Sequence, residues 1–173
     1  MTTGTTEHRL RQFLPTLSLA LAALVDLAPI PDAAPASRGP DILIAALFFW
    51  SLHRAELVAP IPLFALGLAT DFVAGSMIGL TPALLLLTRE AVVRQHKLLL
   101  AMSWPVLTAS FASYAAALGF LRWVMASLMA GRWYHPIPAV LGVLLTVLAW
   151  PFVVLLLMRL QTALPRMRHA AGS

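Results

Sequence analysis

Hydrophobic residues along this chain fall in long unbroken runs, and polar residues gather in the short stretches between them. The first run extends from Phe13 to about Ile30 after Arg9 and Arg11, and predicts a helix over 13–31. Pro29 to Pro40 (PIPDAAPASRGP) is a string of turn formers without apolar periodicity and predicts a loop. Asp41 to Leu52 is again apolar, with Pro40 where a helix start tolerates it. At ~1.5 Å per residue this stretch covers only about 18 Å of a ~30 Å bilayer core. The second helix is therefore expected over 40–54, continuing through His53 to Arg54, whose long side chain snorkels to the interface. A third helix is predicted over 57–74, with Pro60 and Pro62 early in it, then a tight turn at Gly75-Ser76 and a fourth helix over 77–94. The most polar stretch of the chain, Arg89 to Lys97, continues that helix outward. A fifth helix is expected over 98–121, an interfacial segment over 122–135 flanked by Trp123 and Trp133, and a sixth helix over 139–160 kinked at Pro151.

Composition turns this pattern into a class. Of 173 residues 60% are hydrophobic and 11% charged, and mean hydropathy is +0.85. Soluble domains are about 25% charged, so a water-soluble globular fold is excluded, and disorder with it. The expected fold is an all-α integral membrane protein, a bundle of six transmembrane helices forming a single domain over 1–173. The charged start, the apolar run and Ala33-Ala34-Pro35-Ala36 also fit a cleavable secretory leader, but the length of the run and Asp26 within it favour an uncleaved first helix.

The net charge of +5 comes from basic residues scattered singly, with no basic stripe interleaved with aromatics, so no nucleic-acid partner is expected. Their distribution sets orientation instead. With six spans, Arg9, Arg11, Arg54, Arg89, Arg94, Lys97, Arg159, Arg166 and Arg168 fall on one side, and Arg38, Arg122 and Arg132 on the other. Both termini are thus expected in the cytoplasm. The absence of cysteine removes disulfides, thiolate metal sites and a cysteine nucleophile. The five histidines lie in tails and loops without ligand spacing, no serine has a His–Asp pair at matching depth, and no glycine-rich loop follows a strand. Neither a metal, a cofactor nor a catalytic set is expected.

The densest information lies in Pro60 to Pro82, PIPLFALGLATDFVAGSMIGLTP. Asp71 sits in an apolar helix, where a charge at the bilayer centre costs about 2.5–3.5 kcal/mol. Gly67, Asp71 and Gly75 are four apart, so on a continuous helix they share one face, and small residues there admit a second helix closely. The competing reading is ordinary small-residue packing with Asp71 at the interface. Asp26 and Arg122 fall at a depth similar to Asp71, on other helices. The expectation is that Arg122 pairs with Asp71, or failing that with Asp26, and ties helices together.

GLATDFVAGSMIGLTP resembles the G-L-x-x-D-x-x-x-G-x-x-x-G signature of the MreD family of bacterial rod shape-determining membrane proteins, matching at Gly67, Leu68, Asp71, Gly75 and Gly79. The preceding PDILIAALFFWSLHRAE resembles that family's second helix. The resemblance covers residues 40–90 well; elsewhere it rests on length, six spans and short loops. It implies a non-enzymatic component of the cell-elongation and peptidoglycan-synthesis machinery in the cytoplasmic (inner) membrane. The implied partners are MreC, with MreB, RodA and a class B penicillin-binding transpeptidase reached indirectly, and membrane lipid. The family also resembles in fold the S components of energy-coupling-factor vitamin transporters. That implies an alternative: a subunit binding a small ligand near Asp26, Asp71 and Arg122.

Overall fold

The computed structural model describes residues 3–28, 39–75 and 77–163, with side chains from Pro15 in the first helix to Leu160 in the last. Among them are six α-helices and no strand: α1 (Thr3–Asp26), α2 (Ile42–His53), α3 (Pro60–Ala74), α4 (Leu80–Ala101), α5 (Trp104–Met129) and α6 (Ile137–Ala163). Two of them, α5 and the Ile137–Leu160 part of α6, are long and apolar enough to cross a bilayer. The segment Ala33–Ala36, Arg38, Ser76, Arg166 and Arg168 lie outside the described residues.

An apolar helix with no polar face has to be enclosed on all sides, and α2 is. Every residue from Leu43 to Leu52 is buried, and α1, α4 and α6 pack around it. This enclosure corrects the expected length of the second helix. It stops at His53, with Arg54 exposed beyond it, and the chain passes directly into the short 3-10 turn Ala55–Leu57. Aromatic rings of three helices lock its centre. Phe111 stacks on Trp150 at 4.3 Å between centroids, and Phe48 meets both edge-on at 5.2 and 5.3 Å. The Trp50 indole donates to Ser18 Oγ at 2.8 Å and binds α2 to α1.

Several ends differ from the sequence expectation, each for a local reason. Pro60 does not interrupt α3 but begins it, since a proline in the first turn forfeits no intrahelical bond. The boundary between α4 and α5 falls at Met102-Ser103 instead of near 94–98. Arg89 to Lys97 is helical throughout, with Glu90 and Arg94 paired at 2.7 Å one turn apart, and Pro105 lies in the first turn of α5. Residues 122–129 belong to α5 rather than to an interfacial segment. The helix ends only before Gly131, whose φ of +61° favours glycine, and the return segment folds back so that the Trp123 indole donates to the Tyr134 carbonyl at 3.1 Å.

Polarity is distributed inversely to that of a soluble domain. Asp71 is fully buried, whereas Phe72 beside it is 63% exposed. Large apolar side chains also stand out along α6, among them Leu148, Phe152, Leu155 and Leu156.

Candidate functional site

Helix N-termini present N–H groups with no intrahelical partner, and in apolar surroundings these need an acceptor from elsewhere. Here the acceptors come from the preceding helix. Asp26, the last residue of α1, accepts from the Ile42 and Leu43 N–H groups at 2.9 and 2.8 Å, at the start of α2. Asp71, near the end of α3, accepts through Oδ2 from the Gly79 and Thr81 N–H groups at 2.8 and 3.2 Å, at the start of α4. In each case a carboxylate meets the positive end of a helix dipole, the placement that best offsets burying a charge.

Because Asp26 serves α2, the residue at the head of that helix is released from capping it. Asp41 makes no side-chain bond to its own helix. Its carboxylate accepts from Nη1 of Arg122 on α5, and its N–H donates to Thr146 Oγ1 on α6 at 2.8 Å. The ion pair of Arg122 is thus with Asp41, in place of the expected Asp71 or Asp26. Depth alone pointed to those two, but Asp26 through both oxygens and Asp71 through Oδ2 accept from backbone N–H groups. Both remain close enough to act on the guanidinium electrostatically. Asp41 and Thr146 are the residues that sequence reasoning missed. The only available signal was polarity bordering or interrupting an apolar run.

The glycines separate into different tasks. Gly67 is buried, and a Cβ there falls 2.6 Å from Pro82 Cα and 2.7 Å from its nitrogen, so α3 and α4 cross backbone to backbone at this point. Leu68 is half-buried beside it. Gly75 and Gly79 do not continue the helix face, as a four-residue spacing suggested. Gly75 ends α3 at φ +58° and Gly79 precedes α4 at φ +99°, both in the left-handed region where side chains are strained.

Two cavities meet at the ion pair. One, of about 400 Å³, lies between α2, α4, α5 and α6 and is lined by Ile44, Met77, Met125, Ala126 and Met129. The other, of about 230 Å³, reaches toward Asp26 and Thr70. Asp41, Thr81 and Arg122 border both. Arg122 Nε is buried without a hydrogen-bond partner. Among the described residues no three His, Asp or Glu side chains are grouped to hold a metal ion.

The model of the family described as rod shape-determining protein MreD matches residues 7–160, most of the chain and all of the cluster. The chain belongs to the MreD family. No curated protein and no solved structure matches it. Membership of the MreD family gives it a role in determining rod shape and, with its apolar helices, makes it a membrane protein.

In this MreD-family protein the Asp41–Arg122 pair joins α2 to α5 across 81 positions of sequence. Both side chains are about one-fifth exposed (20% and 23%), so the full cost of breaking a buried pair is not reached. Arg122→Gln and Asp41→Asn are each expected to lower stability by about 1–3 kcal/mol. The double variant should lose clearly less than the two singles together. Denaturant unfolding in detergent measures this cycle, and strict additivity would show that the pair carries no coupling.

Proposed function

We propose that this chain is a non-enzymatic scaffold of the cell-elongation complex, a six-span bundle in the bacterial cytoplasmic membrane with both termini in the cytoplasm. It binds MreC and the cell-wall synthases through its helix faces. The observation that carries this reading is the division of polarity: the intramembrane carboxylates are spent on the protein's own helix ends, and apolar side chains of α3 and α6 face outward. A neighbour then docks by shape against an apolar helix face, as membrane helices do. The orientation is supported by the distribution of basic residues. Arg54, Arg89, Arg94, Lys97 and Arg159 lie at the end of the bundle opposite Asp26, Asp41 and Asp71.

Site-specific photocrosslinkers test this reading. Placed at Phe64 and Phe72 on α3, and at Leu148 and Phe152 on α6, they should capture MreC in cell membranes from one of the two faces and not the other. Since the chain has no cysteine, single cysteines introduced at Lys97 and Trp133 give the topology directly. Only the second should react with an impermeant thiol reagent from outside. Failure to capture MreC from either face, in protein that is folded and inserted, overturns the scaffold reading.

A further inference from the structure

We infer that the two cavities meeting at Asp41–Arg122 hold one zwitterionic phospholipid, its head at the ion pair and one acyl chain among the methionines. The larger cavity has the lining an acyl chain needs. Met77, Met125 and Met129 are flexible and polarizable and adapt to an irregular apolar guest. At about 30 Å³ per methylene, close to a water's share of liquid volume, its roughly 400 Å³ takes on the order of a dozen carbons. One chain therefore enters and the other stays in the bilayer. The cavity lies at the carboxylate end of the bundle, which the proposed orientation sets toward the outer membrane surface.

The polar residues select the head. Asp41 pairs directly with the single guanidinium, and Asp26 and Asp71 lie near enough to act on it electrostatically. An anionic head such as that of phosphatidylglycerol competes with Asp41 for Arg122 and leaves the Asp41 carboxylate without its partner. A zwitterion satisfies both signs. Its phosphate accepts from the part of the Arg122 guanidinium that lines both cavities, and its ammonium faces the carboxylate oxygens of Asp41. Phosphatidylethanolamine also supplies N–H donors for those oxygens, so it is the preferred head. The site is independent of which face docks MreC.

Native mass spectrometry of the full chain, purified from vesicles of equal phosphatidylethanolamine and phosphatidylglycerol, tests the proposal. The expected spectrum retains one phosphatidylethanolamine per protein, favoured over phosphatidylglycerol by about tenfold, the ratio one charge-assisted contact gives. Ala126→Phe fills the chain cavity and should abolish retention while the protein still elutes as a single species. Arg122→Gln should remove the head preference; if it does not fold, the Ala126→Phe comparison stands alone. Equal retention in wild type and Ala126→Phe marks annular lipid and overturns the site. A preference for phosphatidylglycerol, or a water-soluble small ligand in the cavity, overturns it as well.

Discussion

Asp71→Ala is expected to destabilise the protein by about 2–4 kcal/mol, while Asp71→Asn loses about half as much. Alanine leaves the Gly79 and Thr81 N–H groups without the acceptor they have at 2.8 and 3.2 Å. Each is worth about 1–2 kcal/mol when the acceptor is charged and the donor heads a helix. Asparagine keeps an acceptor oxygen at the same reach and forfeits the interactions of the charge, with the helix dipole and with the Arg122 guanidinium. Denaturant midpoints in detergent and protein abundance in membranes measure the effect. Rod shape should follow stability, retained with asparagine and lost with alanine. If asparagine fails as completely as alanine, the carboxylate acts as a charge toward a partner, and capping is not its main task. Asp26→Ala should behave like Asp71→Ala, since it strips the same kind of cap from α2.

Gly67→Ala is expected to cost about 3 kcal/mol, against about 1 kcal/mol for Gly75→Ala, although both replace a glycine of the same motif. A methyl at 67 meets backbone atoms of Pro82 at 2.6 and 2.7 Å, and backbone cannot rotate away as a flexible side chain does. The two helices have to part by roughly 1 Å, which costs about 1–3 kcal/mol in a close-packed interior. The same movement draws Asp71, one turn above, away from the start of α4. At Gly75 nothing lies within reach of a Cβ, and the penalty is only that of a left-handed backbone at φ +58°. Thermal unfolding in detergent separates the two. Equal destabilisation would falsify the assignment of close packing to Gly67 alone.

Much of this architecture is legible in the residues themselves. The apolar runs locate the helices, because a backbone in a bilayer has to satisfy its polar groups within the segment. The glycine and proline clusters mark most of the turns. The rarity of charge singles out Asp26, Asp71 and Arg122, and the structure does gather them at one end of the bundle. What the residues could not convey is how each charge is used. The four-residue spacing of Gly67, Asp71, Gly75 and Gly79 reads as one helix face, yet the last two sit at turn positions, because α3 ends at Ala74. Asp41 reads as a helix start, yet its carboxylate turns away from its own helix.

Local pattern by itself determined the class of this protein and the existence of its helices, since these follow from period, length and hydropathy. Tertiary structure alone decided the pairings. Asp26 could cap α2 only once α1 lay beside it. That freed Asp41 for Arg122, and the remaining space between α2, α4, α5 and α6 became a cavity. A hydrogen bond across 81 positions is set by which helix packs on which, and no sequence window contains that choice.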